Sequence, residues 1–223
     1  MKAVVLLSGG IDSSTTLYYA KHKGYECHCL IFDYGQRHRK EILRAKKVAR
    51  LCGTDWQIVK ISLPWKGSAL LNKKISIPRK RSLSGIGNSI PATYVPARNT
   101  VFLSYAASYA EATGARAIFI GANAVDFSGY PDCRPAYYEV FRKLIRRGTK
   151  VGVEGKGIKV LTPLIKKTKA QIIRLGNRLK VPYQHTWSCY SGGREPCLTC
   201  DSCILRAKGF KEAGVVDPLL IKR

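Results

Sequence analysis

The chain has 223 residues, 45% hydrophobic and 24% charged, which excludes wholesale disorder and fits one large domain or one domain with a small appendage. Lysine and arginine number 39 against 14 acidic residues, a formal net charge of +25, so nucleic acid, nucleotide phosphates or another polyanion are the first suspects as partners. No apolar run approaches the roughly 18 residues of a membrane span, and the run from Ala3 to Leu7 is too short for a secretory signal; a soluble, cytoplasmic protein with no membrane partner is expected.

That run ends in Ser8-Gly9-Gly10 and reads as a buried parallel strand. Asp12 to Lys23 follows as a helix closed by Gly24. Then come a strand over Cys27 to Phe32, a helix over Gln36 to Leu51 and a strand over Gln57 to Ile61. Residues 61–100 contain Lys66, Lys73, Lys74, Arg79, Lys80, Arg81 and Arg98 but no acid, and are broken by Pro64, Pro78, Pro91 and Pro96. This span reads as a long loop rather than a packed element, either solvated or in contact with phosphate. Beyond it the pattern predicts a helix over Asn99 to Ala112, a strand over Arg116 to Ile120 and a helix over Ala136 to Arg147, with Pro135 at its start and Gly148 past its end. A short strand over Ile158 to Leu161, a helix over Thr168 to Leu179 capped by Thr168, and a last short helix complete the series. Strand alternating with helix predicts an α/β fold, a Rossmann-like parallel sheet with helices on both faces. Such sheets bind ligands at the carboxyl ends of their strands. Ser8-Gly9-Gly10, Asp33-Tyr34-Gly35 and Gly121-Ala122-Asn123 should therefore lie along one edge.

The segment from Ser8 to Ser14 has the physics of an anion cradle. Its glycines admit phosphate close to the backbone, and the helix start supplies amides and positive potential. Ser8, Ser13 and Ser14 add hydroxyl donors. Asp12 repels phosphate and suits the Mg²⁺ that accompanies a nucleotide; a plain glycine turn with an Asp helix cap is the alternative. The Gly-Lys phosphate loop of GTPases is absent. The string resembles the S-G-G-x-D-S motif of the PP-loop ATP pyrophosphatases. That resemblance implies cleavage of ATP between the α and β phosphates and activation of an oxygen as its adenylate.

The chain has eight cysteines. Cys189, Cys197, Cys200 and Cys203 stand at C-x7-C-x2-C-x2-C, and in a reducing cytosol such a cluster reads as metal ligands rather than disulfides. Four thiolates close a tetrahedral shell, so one structural Zn²⁺ is expected; the spacing also fits iron–sulfur ligation. Cys27, Cys29 and Cys52 read as core. The expected division is residues 1–183 as the nucleotide domain and 184–223 as a small zinc-binding helical tail.

The resemblance extends further. Phe32-Asp33-Tyr34-Gly35-Gln36-Arg37-His38, Tyr94-Val95-Pro96-Ala97-Arg98-Asn99, the stretch from Gly121 to Pro135, and Thr186-Trp187-Ser188-Cys189-Tyr190 stand in that order. Over nearly its whole length the chain resembles the 7-cyano-7-deazaguanine synthase family of the queuosine and archaeosine pathways. The family implies an adenine nucleotide alpha hydrolase type of fold and an ATP-dependent C–N ligase. Its reaction takes 7-carboxy-7-deazaguanine and ammonia through an adenylated carboxylate and an adenylated amide to the nitrile, releasing AMP and pyrophosphate. It also implies a homodimer; with no room for a glutaminase domain in 223 residues, free ammonia is the simplest expected donor. By this likeness Ser8, Gly9, Gly10, Asp12, Ser13 and Ser14 hold pyrophosphate and Mg²⁺. Asp12, Ser13, Arg98 and Lys167 are the expected catalytic residues, with Arg98 on the α-phosphate or the substrate carboxylate. With Lys167, Lys166 and Lys169 are candidates for nucleotide contact, unless the three only form a solvated helix start. Asp126 and Asp132 are the acids available to accept from a guanine-like edge, unless they only form turns. Tyr130 and Phe127 are candidates for stacking on the base, and Arg134 completes the substrate set. A Cys133 thiolate could attack the activated carboxyl, but adenylation makes that unnecessary. Leu198 departs from the family pattern, which often has Gly after the second cysteine.

Two other readings compete. The charge favours a tRNA-modifying PP-loop enzyme, although no appended RNA-binding module is visible. A zinc-bearing nucleic-acid module is opposed by the ATP-type loop. RNA binding is therefore open but not required.

Overall fold

The computed structural model describes residues 1–87, 89–124 and 129–221. Its parallel sheet comprises β1 (Lys2–Leu6), β2 (Glu26–Asp33), β3 (Asp55–Lys60), β4 (Ala117–Ile120) and β5 (Lys159–Leu161), in the order β3-β2-β1-β4-β5. The helices are α1 (Ile11–His22), α2 (Lys40–Leu51), α3 (Arg98–Thr113), α4 (Pro135–Gly148), α5 (Lys150–Val153), α6 (Lys169–Arg178) and α7 (Asp201–Ala213). The α/β expectation holds. The helix expected from Gln36 begins at Lys40, because the Gln36 side chain is taken up by the preceding turn. It accepts from the Tyr34 amide at 2.8 Å and donates to the Phe32 carbonyl at 3.2 Å.

The continuous apolar runs of β1 and β4 are explained by burial on both faces. Val4, Leu6, Ile118 and Ile120 pack with Leu103, Ala106 and Ala110 of α3 and with Tyr138, Phe141 and Ile145 of α4. The alternate residues Ala3, Val5, Ala117 and Phe119 pack with Leu17 and Ala20 of α1 and with Ile42, Ala45 and Val48 of α2. A third cluster joins Ile11 to Ile172 and Ile173 of α6 and Phe210 of α7. Thr168 starts α6 with a capping box, accepting from the Gln171 amide at 3.2 Å while Gln171 accepts from its own amide at 2.9 Å.

The span 61–100 corrects one expectation. Before α3 begins at Arg98, its only regular piece among the described residues is a 3-10 turn, Leu83–Gly85, yet it is packed. Leu63, Ala69, Leu70, Ile77, Ile86 and Val95 are all buried. The Ala69 amide donates to the Ala92 carbonyl at 2.8 Å, and the Lys80 amide to the Thr199 carbonyl at 2.8 Å. These apolar residues follow neither the helical nor the strand period, so no pattern announced them. The span docks on the cysteine-rich tail, where Arg81 forks onto Asp201 at 3.1 and 2.6 Å. No helix among the described residues is long and apolar enough to cross a membrane.

Candidate active site

Strand order reverses at β1, which has β2 on one side and β4 on the other. A crevice is expected beyond the carboxyl ends of such strands. A cavity of about 300 Å³ lies there, lined by Ser8, Gly10, Tyr34, Gly121, Ala122 and Asn123 among others. Residues from all three expected strand-end loops thus meet at one site.

The loop from Ser8 to Ser13 forms one wall. Gly9 has φ +80, and a Cβ there would lie 2.6 Å from the Ala45 amide nitrogen and the Glu41 carbonyl oxygen. Only glycine meets both demands. Gly121 lies equally close to α1, since a Cβ on it would fall 2.8 Å from the Ser13 amide nitrogen. The Ser8 amide donates to the Ser13 hydroxyl at 3.2 Å, and the two hydroxyls are 3.0 Å apart. Gly10 caps α1 without a side-chain hydrogen bond, so the helix start faces the cavity uncapped by any side chain. Ser14 is fully buried, its hydroxyl without a partner, and neither it nor Gly9 is on the cavity wall. Lys169 Nζ donates to both Asp12 oxygens, at 2.6 and 2.7 Å.

The facing wall comes from α3, α2 and the end of β2. Arg98 opens α3 after Ala97, which has φ +51. Its Nη1 donates to the Tyr34 hydroxyl at 3.1 Å, and its guanidinium lies over the Tyr34 and Phe102 rings at 5.6 and 5.9 Å. Its Nε is buried without a partner. Glu41, in the first turn of α2, lines the same cavity. Burial pushes its carboxyl up to about 7; Arg98 opposes the shift and Cys189 adds to it. Tyr130 also lines the cavity, its hydroxyl 3.0 Å from that of Thr93.

The other expected residues lie elsewhere. Asp132 is buried and accepts from the Asn99 amide at 3.1 Å, so its carboxylate serves the first turn of α3 and is not on the cavity wall. Arg134 is exposed at the start of α4. Lys167 is outside the lining; its carbonyl accepts from the Asn123 side chain, while Lys169, two residues on, reaches the cavity. Asp126 and Phe127 lie outside the described residues. Cys133 is on the wall, but burial and then Asp132 push its thiol up to about 12, leaving it protonated and a poor nucleophile near neutrality.

The cysteine cluster adjoins this site. The Sγ atoms of Cys189, Cys197, Cys200 and Cys203 all lie within 4.8 Å of one another. A tetrahedral metal with bonds of about 2.3 Å needs sulfurs about 3.8 Å apart, so the set fits a closed four-thiolate shell. The amides of Ser191 and Cys197 donate to Cys189 Sγ at 3.4 and 3.3 Å, and the Cys200 amide to Cys197 Sγ at 3.4 Å. Such donors stabilise thiolates. Leu198, between two of these cysteines, sits at φ +59, the left-handed conformation that favours glycine. The cluster is tied to the Ser8–Ser13 loop through Trp187. Its amide donates to the Gly9 carbonyl at 2.8 Å, and its indole N–H to the Cys189 carbonyl at 2.9 Å. Arg206 of α7 braces the same turn, donating to Thr186 Oγ1 at 2.9 Å and the Tyr183 carbonyl at 3.2 Å. Sequence reasoning missed Glu41, Trp187 and Arg206 as site residues. An acid in the first turn of a helix is ordinarily solvated, so nothing local set Glu41 apart.

A 7-cyano-7-deazaguanine synthase of Nostoc punctiforme is 54% identical over 222 residues, 99% of each chain. One from Thermoplasma acidophilum is 55% identical, covering 98% of this chain and 91% of that protein. Among solved structures, the U34-tRNA thiolase NcsA of Methanococcus maripaludis, with its 4Fe-4S cluster, matches at a TM-score of 0.50 and 18% identity, over 95% of this chain and 64% of that one. That last likeness concerns the fold alone. The family model described as queuosine biosynthesis protein QueC matches residues 2–214. The chain belongs to the QueC family.

Proposed function

We propose that this protein is an ATP-dependent ligase that converts 7-carboxy-7-deazaguanine and ammonia to 7-cyano-7-deazaguanine. The observation that carries the reading is one cavity with the Ser8–Ser13 loop on one wall and Arg98 and Glu41 on the other, in a chain so similar to synthases of that name.

The chemistry needs two activations. A carboxylate is a poor electrophile because oxide is a poor leaving group. Its attack on the α-phosphorus of ATP forms a carboxyl adenylate and releases pyrophosphate. Ammonia then displaces AMP to give the amide. The amide oxygen attacks a second ATP in the same way, and loss of AMP with the amide protons leaves the nitrile. The chain need supply mainly position and electrostatic stabilisation.

Ser8, Gly10, Ser13 and the amides opening α1 would hold pyrophosphate, with Gly9 shaping the turn and Ser14 supporting it from beneath. Asp12 is the carboxylate suited to Mg²⁺, which would offset phosphate charge; Lys169, paired with Asp12, is the nearby cation. Arg98 has a spare donor for the α-phosphate or the substrate carboxylate. Lys169, read from the start as a nucleotide contact, also takes the catalytic role first given to Lys167. Asp132 supports this wall through α3, and Tyr130 packs beside it. Asp126 and Arg134 remain proposed substrate contacts.

We read the four-cysteine site as one structural Zn²⁺ per chain, held by Cys189, Cys197, Cys200 and Cys203 and keeping the Trp187 turn against the phosphate loop. The division into residues 1–183 and 184–223 follows that reading, as do a cytoplasmic location and, from the family likeness, a homodimer. Turnover with and without each substrate, followed by mass spectrometry of the base, tests the function. Metal analysis of anaerobically purified protein tests the zinc, and stoichiometric iron with sulfide would reject it.

A further inference from the structure

Asp12 and Glu41 are the carboxylates on the cavity wall among the described residues. Asp12 is already held by both contacts from Lys169. Glu41 is different. Arg98 is a charge near it, and no hydrogen bond or ion pair among the described residues ends on its carboxylate, which stays half-buried on the cavity wall. A carboxylate partly withdrawn from water without donors is costly to keep. A ligand bringing two N–H groups would remove that cost.

The surroundings define the ligand's shape. Phe102, stacked on Phe32 with centroids 4.0 Å apart, lines the cavity with Tyr34. These rings give a flat apolar surface beside the acid, suited to a planar heterocycle. A 2-amino-pyrimidinone ring presents a ring N–H next to an exocyclic amine. Two parallel donors match the two oxygens of a carboxylate.

We propose that Glu41 is the specificity residue for the base, accepting the ring N–H and the 2-amino group of 7-carboxy-7-deazaguanine in a bidentate pair. The assignment rests on the proposed function. It replaces Asp132, whose carboxylate is spent on the Asn99 amide. It leaves Arg98 and the phosphate loop for the carboxyl end of the substrate and for ATP.

The experiment is direct binding of the base to the full-length, metal-loaded protein by calorimetry, without ATP. The probes are 7-carboxy-7-deazaguanine and its analogue lacking the 2-amino group. The wild type should bind the analogue at least 10-fold more weakly. Glu41→Gln should lose about 100-fold in affinity for the natural base, the worth of two charge-assisted hydrogen bonds, and should hardly distinguish the two compounds. A melting temperature close to wild type checks that the variant is folded. If it does not fold, the wild-type comparison decides, and discrimination under threefold overturns the proposal. Equally fatal would be unchanged base affinity in Glu41→Gln with a raised KM for ammonia, which would make Glu41 an ammonium site. A wild type that binds neither compound but cleaves ATP with another substrate would instead overturn the proposed function.

Discussion

Replacing Asp217 with alanine strips the counter-charge from a guanidinium that has almost no access to water. The Arg206 and Asp217 side chains are 5% and 6% exposed. Arg206 Nε and Nη2 donate to the two Asp217 oxygens at 2.5 and 2.8 Å. Removing one partner of a buried pair costs about 3–5 kcal/mol, mostly because the other charge stays behind unpaired. Thr186, Tyr183 and Ser188 still offer Arg206 acceptors at 2.9, 3.2 and 3.4 Å, so the lower end, about 3 kcal/mol, is expected. That corresponds to a melting temperature lower by about 6–12 °C for a domain of this size. Urea denaturation followed by fluorescence of the buried Trp187 measures it. The KM for ATP should rise as well, because Arg206 braces the turn whose Trp187 amide holds the Gly9 carbonyl. The double variant Arg206→Met/Asp217→Leu should recover more than half of the stability, since apolar replacement of both partners is often neutral. A loss below about 1 kcal/mol for Asp217→Ala, or a double variant no better than the single one, would refute the reasoning.

Two further outcomes are expected. Leu198→Gly should stabilise the protein by about 0.5–1 kcal/mol, because Leu198 is 57% exposed and held at φ +59 while only glycine adopts that conformation freely; an unchanged or lower melting temperature would contradict it. Glu41 should couple stability to pH. Its folded value, about 7, lies above its ordinary 4.5, so between those values the folded chain keeps a proton that the unfolded chain has lost. That contribution is fully present below pH 4.5 and is lost as pH rises through 7, at most about 3 kcal/mol. Glu41→Gln should therefore flatten the melting-temperature profile between pH 5 and 8, and a profile parallel to wild type would count against the buried carboxyl.

The sheet was readable because its physics is local. β1 and β4 are unbroken apolar runs covered on both faces, and Thr168, Pro135 and Gly148 mark helix ends by their own chemistry. The four clustered cysteines lie within fifteen residues of one another, so spacing alone exposed them. The cavity wall was less readable. Tyr34, Glu41 and Arg98 come from different elements and meet only when the sheet forms. Asp132 looked like a binding acid by position and composition, yet its neighbour in space is the amide opening α3. Lys167 and Lys169 are alike as sequence; the start of α6 decides which reaches Asp12. The basic span was misread as unpacked because Ala69, Ile77 and Ile86 are buried without any period. Its Arg81 neutralises Asp201 and its Arg98 faces the cavity, so part of the large positive charge has a specific local use.

The proposed function has one site activate two oxygens in turn at the expense of ATP. Its most direct test is the count of AMP formed per nitrile, with 7-carboxy-7-deazaguanine, ammonia and Mg-ATP supplied. Two AMP and two pyrophosphate per nitrile are expected, with the amide accumulating when ATP is limiting. One AMP per nitrile, or ATP cleavage giving ADP, would contradict it.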